Sequence, residues 1–191
     1  MGAADKIREG FRALLQTTPY DKITINHILK ISDVSRKTFY KYFEGKPDLV
    51  AALYVKDVIE PIRAIRDNLT LEEIKSAPLL LTERGYQTLY DNRDIYTNLV
   101  KNFGETEMVR LMITHTCELN KSIYENYDFL GDDLDFVSYI LATTKPMIFL
   151  YWMNEGFQKS PKKMAKLHND WTMARWREIG FTLSSRVTGD G

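Results

Sequence analysis

The sequence predicts an all-α protein made of a small N-terminal three-helix unit followed by a larger helical bundle. Apolar residues recur at roughly 3.6-residue spacing along almost the whole chain of 191 residues. No stretch of alternating apolar and polar residues is bounded by hairpin turns, so no strand is predicted. The connections between the periodic stretches are short, as they are between neighbouring helices of a bundle.

The first helix is predicted from Ala3 to Thr17, where Ile7, Phe11 and Leu15 share one face. Two short helices and a longer one follow it before Pro61. A proline inside a helix removes a backbone N–H donor, and its ring clashes with the preceding turn. We therefore expect Pro61 to kink or break the longer helix.

Five further helices are predicted to form the bundle. Gly131 and Gly156 stand where C-terminal caps belong, and Ser160 can cap the helix that begins at Pro161. Pro146 falls inside its helix and should bend it. The five helices run at about Pro78–Asn92, Asp94–Phe103, Glu105–Tyr127, Asp132–Gly156 and Pro161–Ser184.

Charge is distributed unevenly along a chain whose formal net charge is zero. Residues 1–56 hold ten of the 26 Lys and Arg residues but only six of the 26 Asp and Glu residues, which gives them a charge of +4 and leaves −4 for the rest. This asymmetry is expected where only the N-terminal unit approaches phosphate groups.

Several other classes of protein are disfavoured. The longest wholly apolar run, residues 146–153, is much shorter than the roughly 20 residues that span a bilayer. Charged residues stand where a signal peptide needs an apolar stretch, so we expect a cytoplasmic protein without a membrane partner. The single cysteine, Cys117, excludes an internal disulfide, and the three histidines are too far apart in sequence to predict a metal site.

The most informative stretch runs from Thr24 to Leu53. Thr24 can cap one short helix and Ser35 a second, with a tight turn between them. In the second helix an inner stripe is predicted from Phe39, Tyr40 and Phe43. Two short helices joined by a tight turn, the second with basic residues at its start, are typical of a DNA-binding helix-turn-helix.

The second short helix carries the residue types that read a duplex. Arg36 or Lys37 can donate to guanine, and Thr38 can meet a base acceptor or a thymine methyl. Lys41 and Tyr42, together with Lys46 near the next helix start, can hold phosphate groups. The predicted partner is therefore double-stranded DNA.

The order T-I, then V-S-R-K-T-F-Y-K-Y-F, then G-K-P-D-L resembles the signature of the TetR family of transcriptional regulators over about residues 5–55. The resemblance implies a ligand-responsive repressor with a DNA-binding domain at residues 1–55 and an effector-binding and dimerisation domain at residues 56–187. Asp33 stands where family members usually have glycine, so the turn should be left-handed and an acid should lie near the DNA. The residues that the resemblance places against DNA are Thr24, Ser35, Arg36, Lys37, Thr38, Tyr40, Tyr42 and Lys46.

The C-terminal part is similar to the family at Tyr151–Gly156 and at Ser160–Pro161. The similarity implies that the last two long helices pair with those of a second copy, so that a homodimer presents two DNA-binding units to two half-sites. An unknown small molecule is the expected effector, bound between the helices of the bundle.

Candidate effector-binding residues are polar or aromatic side chains at helical spacing in the bundle. His115 is predicted on an inner series with Met108, Met112 and Leu119. A core role for these side chains remains open, since aromatic residues at such spacing usually belong to a core. The tyrosine candidates are Tyr86, Tyr90, Tyr139 and Tyr151.

Three alternative functions are considered. The N-terminal unit could be a small helical module that does not bind DNA. The chain could be an enzyme, but no nucleophile elbow, phosphate-binding glycine loop or metal-ligand spacing occurs, so neither catalytic residues nor a cofactor are predicted. It could also be a helical adaptor or coactivator of the same fold that acts through a protein partner.

Overall fold

A computed structural model describes residues 2–70, 73, 78–125 and 128–173 of the chain. Every regular element in these ranges is helical, which confirms the all-α prediction. The α-helices are α1 (Ala3–Thr17), α2 (Ile25–Ser32), α3 (Arg36–Tyr42), α4 (Lys46–Tyr54), α5 (Glu60–Arg66), α6 (Pro78–Asp91), α7 (Arg93–Asn102), α8 (Glu105–Tyr124), α9 (Leu134–Asn154) and α10 (Pro161–His168).

The N-terminal unit consists of α1, α2 and α3 around a shared apolar centre. Ile7 and Phe11 of α1 are fully buried, as is Phe39 of α3. Gly10 allows α1 and α2 to approach closely, because a Cβ there would lie 2.8 Å from the Ile31 side chain. Tight packing around α1 fixes the orientation of α3 relative to the rest of the chain.

Pro61 does not break the long helix that leaves the N-terminal unit. The backbone stays helical from Lys46 to Arg66, and a π-helical turn, Val55–Ile59, joins α4 to α5. In that turn the Glu60 N–H donates to the carbonyl of Val55, five residues back. We attribute the wide turn to Pro61, since proline lacks an N–H and its ring needs room against the turn before it.

The bundle is built from α6 to α10. The most extensive contact joins α8 to α9, and α10 packs on α6. Helix α9 continues through Pro146, which is buried. A π-helical turn, Asn169–Met173, follows α10, and the part of the last predicted helix at residues 174–184 lies outside the described residues.

The largest apolar cluster runs from the N-terminal unit into the bundle, and two smaller clusters lie within the bundle. Asn98 of α7 adds a polar connection, because its Nδ2 donates to the carbonyls of Leu15 at 2.7 Å and Thr18 at 2.8 Å. Its Oδ1 accepts from the Tyr20 N–H at 3.0 Å. The last carbonyls of α1 are thus satisfied by a side chain of the bundle, which connects α7 to the N-terminal unit.

Candidate nucleic-acid interface

Two side-chain caps define the start of the helices in the helix-turn-helix. The Thr24 hydroxyl accepts from the His27 N–H at 3.2 Å, and the Ser35 hydroxyl accepts from the Thr38 N–H at 3.0 Å. Each cap satisfies one of the N–H groups that a helix leaves without an internal partner. The predicted capping roles of Thr24 and Ser35 are confirmed.

The turn between α2 and α3 depends on Asp33. Its backbone is left-handed, with φ of 50° and ψ of 52°, as the sequence predicts. Its N–H donates to the Leu29 carbonyl, and the next N–H, of Val34, donates to the same carbonyl at 3.3 Å. Aspartate adopts this conformation more readily than most residues, which explains how the turn forms without glycine.

Helix α3 has one buried side and one exposed side. Phe39 and Phe43, one turn apart, are buried. Tyr40 is 49% exposed, so its predicted place in the inner stripe is wrong. The physical reason is angular, because a residue next to Phe39 is rotated by about 100° from it, too far to share a short helix's narrow buried face. Tyr42 is also exposed, so both tyrosines lie at the surface.

The exposed side of α3 is positively charged. Arg36, Lys37 and Lys41 are all exposed. Within the described part of the chain none of these three side chains makes an ion pair. Lys37 and Lys41 lie one turn apart on the side opposite Phe39. Their charges are therefore available to an external anion.

Asn26 and His27 belong to the same surface but were not predicted. The Arg36 guanidinium donates to Asn26 Oδ1 at 2.6 Å, which links the start of α3 to the start of α2. His27 is exposed, and its Nδ1 accepts from the Thr24 N–H at 3.4 Å. Both residues follow the Thr24 cap, so their place in the exposed first turn of α2 was the available signal.

Lys46 has an internal role that the sequence did not indicate. Its ammonium donates to the carbonyls of Tyr20 at 3.0 Å and Ile23 at 2.6 Å, and it lies 4.2 Å from the centre of the Tyr20 ring. Burial lowers the pKa of Lys46 below its ordinary value. Two of its three N–H donors are thus engaged within the chain, and one remains for a phosphate.

The candidate effector residues fall into two groups. Tyr139 is 52% exposed and Tyr151 is 51% exposed, so the expectation that they line an interior site is wrong. His115 is half-buried, and the inner position of α8 next to it is filled by Thr116, whose hydroxyl lies 3.0 Å from the Tyr54 hydroxyl. These departures share a cause, since one residue along a helix changes the direction of a side chain by about 100°.

Tyr86 is the candidate that the structure places at a cavity. This cavity lies between the α4–α5 segment, α6, α8 and α9, and its volume is ≈ 20 Å³. Tyr90 packs elsewhere, stacked on Trp152 with ring centres 5.5 Å apart. The lining residues are Tyr54, Val58, Ile59, Ile62, Leu81, Thr82, Gly85, Tyr86, Leu89, Met112, Thr116, Leu119 and Lys145.

Among the described residues, no helix is both long and apolar enough to cross a membrane. Among the same residues, no group of three or more His, Cys, Asp or Glu side chains is arranged to hold a metal ion.

Two family models match the chain in the order in which the two helical parts occur. The model described as bacterial regulatory proteins, tetR family, matches residues 7–53, and one described as transcriptional regulator C-terminal region matches residues 80–172. The chain belongs to the TetR family. It is therefore a transcriptional regulator and not an enzyme, and α2 and α3 lie within the residues that match the family's N-terminal model.

A curated relative and a solved structure agree with the TetR assignment. The chain is 30% identical over 56 residues to the HTH-type dhaKLM operon transcriptional activator DhaS of Lactococcus lactis subsp. lactis (strain IL1403). That match spans 29% of this chain and 30% of DhaS. A solved structure of a dihydroxyacetone kinase operon activator DhaS shares the fold, with a TM-score of 0.60 and 19% identity over 91% of this chain and 95% of that chain.

Proposed function

We propose that this TetR-family protein is a ligand-responsive repressor that binds a near-palindromic operator as a homodimer. The observation that carries the proposal is the exposed side of α3, where Arg36, Lys37 and Lys41 have no ion-pair partner among the described residues. Basic side chains without an ion-pair partner favour DNA binding, because they displace counterions from phosphate groups.

The division of labour across α3 follows from the positions of its side chains. Asn26 orients Arg36 at the first turn, where a recognition helix meets base edges. Lys37 and Lys41 face outward, and Tyr40 and Tyr42 flank them with exposed hydroxyl groups that can donate to phosphates. Arg36 and Thr38 are accordingly proposed to specify sequence, and the other side chains to position the duplex.

An exposed apolar stripe on α9 supports the homodimer. The stripe runs the length of a 21-residue helix, and its members recur at intervals close to whole turns. An apolar surface of this length is typical of a protein interface, and a symmetric pair of such helices would cover it. Tyr139 and Tyr151 belong to this surface. The α9 stripe consists of Phe136, Tyr139, Ile140, Met147 and Tyr151, which are 67%, 52%, 39%, 49% and 51% exposed.

The link between the bundle and the N-terminal unit supports a ligand response. The cavity wall includes Val58 and Ile59 of the π-helical turn, and that turn follows α4 directly. Occupation of the cavity would therefore shift the helix that carries the N-terminal unit. Two half-sites must be met at once, so a small change in the separation of two such units lowers DNA affinity.

Repression needs fewer contacts than activation for a dimer that binds DNA through α3. A bound dimer excludes other proteins from the promoter by occupancy alone and needs no further contact. Activation, which is stated in the name of DhaS, requires a second surface that contacts a partner. A reporter gene placed behind the chain's own upstream region separates the two, because deletion of the regulator should raise expression.

The proposal is tested with the full chain and double-stranded DNA from its own upstream region. Fluorescence polarisation should show binding that weakens steeply with salt, and light scattering should give the mass of a dimer. Phe136→Glu combined with Met147→Glu should give a folded monomer that loses tight operator binding. The control is Thr114→Glu on an exposed position of α8. A wild-type monomer at micromolar concentration would contradict the proposal.

The adaptor function remains the second candidate, because the curated relative is an activator and activation involves a partner protein. The two candidates differ in what the chain binds by itself. A chain that fails to retard its upstream DNA at low salt, yet folds and dimerises, supports the adaptor.

A further inference from the structure

Among the described residues that line the cavity of the bundle, Lys145 is the one basic side chain. It belongs to α9, and most of the other lining residues are apolar. Within the described residues its amine makes neither a hydrogen bond nor an ion pair. None of the described lining residues is a carboxylate that could balance its charge.

The titratable groups around Lys145 are neutral at pH 7. Burial raises the pKa of Tyr54 to about 12 and raises that of Tyr86 as well. Burial, followed by the charge of Lys145, lowers the pKa of His168 to about 4. Burial also lowers the pKa of Lys145 to about 8, so most of the amine is still protonated at pH 7. The cavity wall therefore carries a single positive charge.

The hydrogen bonds around Tyr86 leave it without a proton to donate. The Thr144 hydroxyl donates to the Leu141 carbonyl at 2.9 Å, so Thr144 can only accept from His168 Nε2, which lies 3.2 Å away. His168 Nδ1 is then an acceptor and receives the Tyr86 hydroxyl proton at 3.1 Å. Lys145 is accordingly the strong donor that remains for a bound molecule.

An unpaired cation in an apolar wall costs free energy and contributes nothing to packing that a methionine could not. We propose that the cavity binds an amphiphilic anion, with an apolar body among the helices and one carboxylate or phosphate group on the Lys145 ammonium. This inference rests on the proposed ligand response, because it names the chemical class of the effector.

The cavity must widen to admit such a molecule. At present it has room for only about one water molecule. The widening would displace Val58 and Ile59, which line the cavity and belong to the π-helical turn between α4 and α5. Binding of the anion and movement of the N-terminal unit would thus be the same event.

The test compares three probes of equal chain length on the full protein: octanoate, octyl phosphate and octanamide. Calorimetry should show at least one of the two anions binding about tenfold more tightly than the neutral amide. The ratio of the affinities for octanoate and octyl phosphate distinguishes a carboxylate effector from a phosphate effector.

Variants of Lys145 assign the preference to its charge. Lys145→Met should abolish the preference for the anion, and Lys145→Arg should retain it. Lys145→Gln is used if the methionine variant does not fold. Lys101→Met, at an exposed lysine of α7, is the matched control and should bind like the wild type.

Three outcomes would overturn the inference: equal affinity for anion and amide, a preference that survives in Lys145→Met, or no binding of either anion. Its failure is distinguishable from that of the proposed function, which is measured by operator binding. If octanamide binds and weakens operator binding, the proposed ligand response stands, but the effector is not an anion. If an anion binds through Lys145 but does not change operator binding, the proposed anion site stands and the proposed ligand response is contradicted.

Discussion

Arg12 of α1 and Asp57 of the π-helical turn form an ion pair that joins the N-terminal unit to the long helix. The Asp57 carboxylate also accepts from the Tyr96 hydroxyl at 3.1 Å, and Arg12 donates to Asn92 Oδ1 at 2.7 Å. Burial raises the pKa of Asp57 above its ordinary value, although Arg12 favours its charged form. The pair thus lies where α1, the π-helical turn and α7 meet.

Breaking this pair should weaken both stability and the ligand response. Asp57→Asn leaves Arg12 without its carboxylate, and loss of one partner of a largely buried pair costs about 3 kcal/mol. Urea unfolding measures that cost, and a double-mutant cycle with Arg12→Leu isolates the pairwise free energy. The matched control is Lys56→Gln, which breaks the exposed ion pair with Glu60 on the same turn and should cost less than about 1 kcal/mol.

Asp33 should limit both DNA affinity and stability. Asp33→Asn removes the charge and keeps a residue that tolerates the left-handed region, so operator affinity should rise while stability stays nearly constant. Asp33→Gly should raise affinity equally and also raise the free energy of unfolding by about 1 kcal/mol. Asp21→Asn, at an exposed acid elsewhere in the N-terminal unit, is the control. Equal gains from Asp21→Asn and Asp33→Asn would show that only net charge matters.

Arg36 and Thr38 should set sequence preference. Arg36→Ala should cost roughly 1 to 3 kcal/mol at one base pair of each half-site, because a bidentate contact to guanine is lost. Asn26→Ala should relax preference at the same base pair, since it releases the Arg36 side chain. In vitro selection of bound sequences measures both effects. If base preference is unchanged in both Arg36→Ala and Thr38→Ala, these two residues do not specify the sequence.

Lys41 and Lys46 should separate DNA binding from stability. Lys41→Ala should reduce the salt slope by about one and leave the free energy of unfolding unchanged, because the side chain is exposed. Lys46→Ala should weaken binding to all sequences alike and also destabilise the chain by about 1 to 3 kcal/mol, because two carbonyls lose a charged donor. Parallel urea titrations and polarisation measurements distinguish these results.

Lys145 should make stability rise with pH in the alkaline range. Its pKa is lowered from 10.5 in the unfolded chain to about 8 in the folded one, so between these values the unfolded state binds more protons. The free-energy cost of holding a protonated Lys145 in the folded state is fully present below pH 8 and disappears as the pH rises toward 10.5. Lys145→Met should therefore be more stable than the wild type at pH 7 by up to about 3 kcal/mol, which urea unfolding measures, and it should lose this pH dependence. A wild-type stability that is flat from pH 8 to 10 relative to Lys145→Met would contradict this account.

Local sequence signals predicted the fold class and the caps and turn of the helix-turn-helix well. The bounds of α1, the caps at Thr24 and Ser35, and the left-handed Asp33 follow from short-range backbone chemistry. The long helix at Pro61 was harder to predict, because the helix continues through a π-helical turn. Periodicity alone does not indicate that outcome.

Side-chain direction in the bundle was less predictable. Tyr139 and Tyr151 lie on the α9 stripe, because α9 is apolar on two sides and only packing determines which side is buried. Lys145 was not predicted to line a cavity, because a lysine in a helix is normally exposed to solvent. The family match does not supply these positions either.

The π-helical turn at Val55–Ile59 constrains any exchange of DNA-binding units between family members. Each residue of an α-helix turns the chain by about 100°, so the number of residues between Lys46 and Arg66 sets the direction in which α3 faces. A π-helical turn takes up about one more residue than an α-helical turn, so making it α-helical without removing a residue would rotate the two DNA-binding units away from a common face of the duplex. A chimera with a foreign DNA-binding unit must therefore be joined before Val55, in phase, or its two halves will fold correctly and still miss the operator.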